Sequence, residues 1–364
     1  LSAPVARTCS SPMKRKLRKA LIIASMFLFG ACQGQPCFQD DENEALYLLG
    51  LLLPLGDYWA RLYYVDPLVA GDHTNINFIR EATPSDTFSG ERKLILVSGW
   101  DTEDRSDVPY PSPGELQVRA LETKWNHLIK TTTFDEMIVL DNTRIFIFDY
   151  LTSDPISLNG IRFRNWLDGT FGSLPTAEVI IYAHSMGGIV TRTAIYQGQK
   201  PLYLKAAVIN GSPLHGSPWA SPEYQESKTV LGTLASFLTR TEGGSDLRWD
   251  NFDGSIPGAS NPFLSELAAK SGRDDLIHLT YGDIDDGSSF DDNATASPAL
   301  RSACLILHPD GFPGDCIVPN SSSQYTGVTN PNSKTDLGRY EHFQINWASD
   351  DTRPLLRAKI NSLW

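Results

Sequence analysis

The chain has 364 residues, with 31 Lys and Arg against 43 Asp and Glu for a net charge of −12, and is 41% hydrophobic and 20% charged. That profile excludes a disordered chain and a collagen-like repeat, and five Cys in this length exclude a disulfide-dense mini-protein. An acidic balance repels the phosphate backbone that supplies most non-specific affinity, so no nucleic-acid partner is expected. The length exceeds one domain of about 150 residues, although α/β folds often run longer.

The charge is uneven. Residues 1–31 hold six bases (Arg7, Lys14, Arg15, Lys16, Arg18, Lys19) and no acid, which leaves −18 on the remainder. Met13 opens Met-Lys-Arg-Lys-Leu-Arg-Lys, and an apolar run follows from Ala20 to Ala31. As a helix this run reaches about 18 Å, short of the roughly 30 Å hydrocarbon core. A basic stretch before a short apolar one is the pattern of a secretory signal peptide, with residues 1–12 lying upstream of a better start at Met13. Leu28-Phe-Gly-Ala-Cys32 resembles a bacterial lipobox, in which the Cys becomes lipid-modified, although Phe29 occupies the usual Leu position. The expectation is an exported protein. It is either an envelope lipoprotein on the periplasmic or outer-membrane side, attached to the membrane through Cys32, or a secreted protein with an ordinary cleaved signal.

Residues 32–90 read as a polar linker followed by a helical segment, Ala45–Gly56, broken by Gly50 and Pro54 and too short to span a membrane. From residue 91 strands and helices alternate. Lys93–Ser98, Arg144–Tyr150, Glu178–Ala183, Leu204–Asn210 and Leu276–Tyr281 are apolar runs of strand length. Glu115–Lys130, Leu158–Leu167 and Gly188–Tyr196 have helical spacing. Continuous apolar strands alternating with helices predict a mostly parallel sheet covered on both faces. Residues 211–274 are too long for one crossover and hold two further helical stretches, Thr229–Leu238 and Pro262–Lys270. They are expected to form an inserted cap between the strands near 204–210 and 276–281.

Val179-Ile-Ile-Tyr-Ala-His-Ser-Met-Gly-Gly-Ile-Val190 carries the chemistry. An apolar strand runs through Ala183-His-Ser-Met-Gly187 into a helix. A nucleophile elbow needs small residues two before and two after its Ser, because strand and helix crowd the turn. Gly187 fits, and Ala183 departs from the usual Gly by one methyl. Ser185 is therefore the candidate nucleophile, exposed at the carboxyl edge of the sheet where such sheets bind ligands. A hydroxyl attacks only if a base takes its proton, and the base needs an orienting carboxylate. In this arrangement the acid and then the His follow the Ser. His342 is the best base. His278 sits mid-strand, and His308 precedes the preferred acid. For the acid, Asp315 in Gly314-Asp-Cys-Ile-Val-Pro319 leads, with Asp283 the runner-up by position and Asp286 beside it. The oxyanion hole is expected from the backbone N–H groups of Met186 and Trp100.

These motifs resemble those of α/β-hydrolase fold serine esterases, with bacterial triacylglycerol lipases and lipase-like inositol deacylases closest in pattern. The resemblance covers roughly residues 91–350 and rests on Val97-Ser-Gly-Trp100, Ala183–Gly188, Gly211-Ser-Pro-Leu-His-Gly-Ser-Pro218, Ser255–Leu267 and Asp315-Cys-Ile-Val-Pro319. It implies serine-dependent cleavage of lipid-type carboxylic esters through an acyl-enzyme, with a lid over an apolar acyl pocket and no cofactor. An acyltransferase would use the same acyl-enzyme, and a non-catalytic surface lipoprotein could keep the scaffold. Ser98 stands where relatives carry His. That leaves the backbone donor in place but removes the side chain that usually braces the loop. His215, in the family pattern, shapes the loop beside the site.

Other signals are weaker. Asp283–Asp292 lacks the Gly and Glu placement of an EF-hand and reads as a solvated acidic loop. His73 and His127 are too isolated to ligate a metal, so no metal is expected. Cys304 and Cys316 could pair or remain free thiols, and Cys37 has no evident partner.

Overall fold

The structure is a computed structural model, described here over residues 60–65, 79–100, 143–226, 241–284, 298–328, 331–346 and 352–364. The signal segment with Cys32 and Cys37, the stretch 45–56, the helical stretches 115–130 and 229–238, His73, His127 and the acidic residues 285–292 lie outside these. None of the described helices is long and apolar enough to cross a membrane.

Among the described residues, eight strands form one sheet: β1 (Ala60–Val65), β2 (Ile79–Glu81), β3 (Arg92–Val97), β4 (Thr143–Tyr150), β5 (Val179–His184), β6 (Leu204–Asn210), β7 (Ile277–Tyr281) and β8 (Ser333–Asp336). Their spatial order is β2-β1-β4-β3-β5-β6-β7-β8. From β4 to β8 every neighbour is parallel, whereas β1 runs antiparallel to both β2 and β4. The five apolar runs predicted as strands are β3 to β7. β1 and β2 come from the stretch read above as linker and helix, so among the described residues the sheet starts at Ala60, well before residue 91. β8 was not expected either. Its sequence Ser-Lys-Thr-Asp has no apolar periodicity, as suits an edge strand whose alternate residues face water.

Successive strand residues point to opposite faces. In β3, Ile95 and Val97 join one buried cluster while Leu94 and Leu96 join another. Phe146 and Phe148 separate from Ile145 and Ile147 in β4 in the same way, as do Ile181 and Ala183 from Ile180 and Tyr182 in β5. Each apolar run therefore serves two cores. The larger core holds α1 (Ile156–Phe171) and α2 (Met186–Tyr196), with Phe163 stacked 4.3 Å from Phe148 and Phe171 edge-on to Phe146 at 5.1 Å. The smaller core is covered, among the described residues, by Leu356 and Ile360 of the C-terminal helix (Arg353–Asn361) together with Leu337 and Ile345. α1 starts two residues before the predicted Leu158–Leu167, where Asp246 accepts the Ile156 N–H at 2.8 Å, and runs a turn beyond it to Phe171.

The described parts of the inserted stretch, 211–226 and 241–274, are woven into the larger core. Trp219, Trp249, Leu247 and Leu264 are all buried in it. The helix Pro262–Ala269 (α3) starts on Asn261, whose side chain accepts the Leu264 N–H and donates to the Asp246 and Arg248 carbonyls.

Candidate active site

Ser185 sits between β5 and α2 with φ +54°. A non-glycine residue held there costs about 1–3 kcal/mol, and the surrounding contacts must hold the turn. Ser185 N–H donates to the Asn210 carbonyl at the end of β6, and Gly188 N–H donates back to the Ser185 carbonyl, both at 2.9 Å. The crowding predicted for the elbow is present. A methyl at Gly187 would stand 2.4 Å from the Ser98 carbonyl oxygen, and one at Gly188 would run into the Ser212 side chain. Ala183 is fully buried and in register with Val97 and Ile209, so its methyl is accommodated inside the sheet.

The other two candidates reach the same point from loops near the C-terminus. His342 Nε2 lies 2.9 Å from Ser185 Oγ, and His342 Nδ1 lies 2.8 Å from Asp315 Oδ2. Asp315 Oδ1 accepts the Ile317 and Val318 N–H groups at 3.1 and 2.7 Å. Asp315 and His342 are buried, while Ser185 is half-buried. Burial alone would lower the His342 pKa. The Asp315 charge and hydrogen bond, with Glu341 adding, outweigh it and hold the imidazole above its usual 6.5. Glu341 is itself buried and held upward, chiefly by desolvation, with its carboxylate accepting the Phe343 N–H.

The remaining candidates lie elsewhere. Asp283, the runner-up acid, bonds through its N–H to the Gly338 carbonyl, and its Oδ1 has no partner among the described residues. Asp286 lies outside those residues. His278 bonds to Ser333 across β7 and β8, and His308 accepts the Gly314 N–H beside the acid loop. That loop is closed by Asn320 N–H on the Pro313 carbonyl and by a Cys304–Cys316 disulfide, which settles the pairing left open above. Cys304 belongs to the helix Pro298–Leu307 (α4). His215 is buried, with Nδ1 on Asp250 at 2.7 Å and Nε2 on the Thr326 carbonyl at 2.9 Å, and its ring stacks on Phe252. It ties three loops together and does not touch Ser185.

Two main-chain segments flank the serine. Met186 opens α2, where the first N–H groups have no intrahelical acceptor. On the other side Gly99 packs so closely that a methyl there would stand 2.7 Å from Ser185 Cβ, and Trp100 follows it, half-buried against the larger core. The brace that a His at position 98 would supply comes from another strand. Tyr150, at the end of β4, donates its hydroxyl to the Ser98 carbonyl at 2.7 Å, and Ser98 Oγ has no partner among the described residues. Nothing in the spacing of the chain pointed to Tyr150, since its role depends on β3 and β4 being neighbours. No cluster of three or more potential metal ligands occurs among the described residues.

The fold is similar to that of the mature form of a Bacillus licheniformis lipase, with a TM-score of 0.50 at 15% identity over 75% of this chain and 92% of that one. The chain has the α/β-hydrolase fold. The propeptide form of the same lipase gives a TM-score of 0.49 at 15% identity, covering 75% of this chain and 50% of that one. A Pyrococcus furiosus esterase gives 0.39 at 13% identity, covering 76% and 83%. The α/β-hydrolase assignment rests on the first match and on the sheet order. No family profile matches the sequence, and no curated protein matches it.

Proposed function

We propose that this α/β-hydrolase fold protein is a carboxylic ester hydrolase working through Ser185, His342 and Asp315. The observation that carries the reading is the continuous chain of contacts Ser185 Oγ–His342 Nε2 and His342 Nδ1–Asp315 Oδ2, at 2.9 and 2.8 Å. His342 takes the Ser185 proton as Oγ attacks the ester carbonyl. The resulting imidazolium is stabilised by Asp315, which keeps Nδ1 protonated and Nε2 directed at the serine. The oxyanion is received by the N–H groups of Met186 and Trp100, each donor being worth about 3 kcal/mol in the transition state. His342 then returns the proton to the leaving alcohol, and water, activated by the same base, hydrolyses the acyl-enzyme. No step needs a cofactor.

Lipid-type esters are the proposed substrates, and the proposed setting is the cell envelope or beyond it, from the basic leader and Cys32. The test is labelling of the folded, pure protein with a fluorophosphonate probe, with the modified residue identified by peptide mass, alongside p-nitrophenyl ester turnover. Labelling at Ser185, and its loss with turnover in Ser185→Ala, is the expected result. Full turnover in Ser185→Ala would refute the mechanism. Because the three residues act as a unit, Ser185→Ala and His342→Ala losses should not add in the double variant.

A further inference from the structure

His342 sits on a loop rather than on a strand. β8 ends at Asp336, and residues 341–346 form a turn in which Ile345 N–H donates to the Glu341 carbonyl at 3.0 Å. Two carbonyls of this turn point back at the sheet, and each meets a side-chain donor. His184 Nε2 lies 3.0 Å from the His342 carbonyl, and Asn210 Nδ2 donates to the Ile345 carbonyl at 2.6 Å. A carbonyl only accepts, so His184 carries its proton on Nε2. His184 and Asn210 are register partners at the carboxyl ends of β5 and β6, and side chains of paired parallel residues leave the sheet on one face.

We infer that His184 and Asn210 are positioning residues: a two-donor clamp that holds the His342 loop against the sheet so that the imidazole stays within reach of Ser185. The inference rests on the triad reading above. Asn210 is tied to both partners, since its main-chain carbonyl accepts the Ser185 N–H while its side chain holds the base loop. The amide is itself fixed on every side. Thr280 Oγ1 donates to Asn210 Oδ1 at 2.8 Å, and Asn210 Nδ2 also donates to the Tyr182 hydroxyl at 2.9 Å. The next residue continues the packing, because a methyl at Gly211 would meet Ile345 Cδ1 at 2.3 Å and Asp315 Oδ2 at 3.2 Å. The two imidazoles lie 4.8 Å apart. Burial, followed by the neighbouring His342 charge, pushes His184 down to about 3, so it stays neutral while His342 titrates. The clamp then keeps its donor when His342 becomes an imidazolium, and no second cation opposes that charge.

The experiment compares side chains that differ in reach or in donor. His184→Gln can still donate to the His342 carbonyl, whereas His184→Asn is too short, and Asn210→Leu removes the other donor. Full-length His184→Asn and Asn210→Leu, folded by circular dichroism, should each lose about 100-fold in kcat on p-nitrophenyl butyrate with KM unchanged, the scale of a misplaced catalytic group. Their fluorophosphonate labelling should slow by the same factor, and the downfield proton signal of the His342–Asp315 hydrogen bond should disappear. His184→Gln should keep that signal and most of kcat. Wild-type kcat and labelling in His184→Asn would overturn the clamp while leaving the triad intact, and the His184 pair decides alone if Asn210→Leu does not fold. A wild-type protein that is not labelled at Ser185 would overturn triad and clamp together.

Discussion

Asp315 and His342 are hydrogen bonded twice. The His342 main-chain N–H donates to the Asp315 main-chain carbonyl at 2.9 Å, and the same histidine's Nδ1 meets Asp315 Oδ2 at 2.8 Å. The backbone bond sets the two loops in register whatever the side chains do. Replacing the carboxylate therefore changes the chemistry of the pair with little change in loop position.

In Asp315→Asn the Oδ1 position still has to accept the Ile317 and Val318 N–H groups, so the amide NH2 is turned towards Nδ1. The imidazole must then hold its proton on Nε2 and cannot accept one from Ser185. Ester turnover should fall by about 10⁴ in kcat, the scale of a wrong tautomer in this kind of site. Near-normal turnover would move the acid role to another carboxylate. Asp283 is the first alternative.

The pH profile follows from the raised His342 pKa. Only the neutral imidazole accepts the serine proton, so kcat/KM should climb on the acid side with a midpoint above 6.5. In Glu341→Gln one contributor to that shift is gone, and the midpoint should move down. A midpoint below 6.5 in the wild-type profile would contradict the upward shift.

The flank opposite α2 can be tested at two positions. Gly99→Val places atoms where Ser185 already sits, so esterase activity should be lost while the far-ultraviolet spectrum is kept. Tyr150→Phe removes the hydroxyl that holds the Ser98 carbonyl. It should lower kcat about tenfold with KM nearly constant, because a loosened oxyanion loop weakens the transition state more than the ground state.

The disulfide joins the residue after Asp315 to α4 and closes a short loop, Cys304 to Cys316. A loop of that size corresponds to about 3 kcal/mol on the chain-entropy account. The Cys304→Ala/Cys316→Ala double variant should show that loss in urea unfolding, with a lower kcat as the acid loop loosens. An unchanged midpoint would mean that the acid loop is held without the bridge.

Asp246 caps α1 at a stability cost. Burial, with the Glu242 charge, raises its pKa to about 6 even though the Ile156 N–H favours the carboxylate. The native state therefore binds more protons than the unfolded chain between pH 4 and 6, and stability falls as pH rises through that window. Asp246→Asn keeps an acceptor for Ile156 without the buried charge. The difference in unfolding free energy between variant and wild type should grow from pH 4 to 6 in favour of the variant, as read by chemical denaturation across the window.

Much of this molecule could be read from the sequence because its signals are local. The runs Lys93–Ser98, Arg144–Tyr150, Glu178–Ala183 and Leu204–Asn210 are buried on both faces, so each announces a strand without knowledge of its neighbours. The elbow is legible in the same way, since small residues on either side of Ser185 mark it, although the carbonyls that crowd Gly187 are those of Val97 and Ser98 at the end of β3. Chain order narrowed the acid and the base to a few side chains.

Other features depend on which strands are neighbours and where loops return, and these only the fold decides. β8 shows no pattern because half of it faces water, and β1 is apolar enough to be taken for an extension of the segment before it. Its motif puts Asp315 ahead of Asp283 in the sequence, and in the structure two hydrogen bonds tie Asp315, not Asp283, to His342. Tyr150, His184 and Asn210 act through contacts 52, 158 and 135 residues away, a distance over which no spacing rule applies. The amino-acid order determined the five central strands and the serine at the strand-to-helix turn, because apolar runs and small residues beside a turn can be read locally. The grip on that hydroxyl came from tertiary structure, because a hydrogen bond between distant segments exists only once the chain has closed on itself.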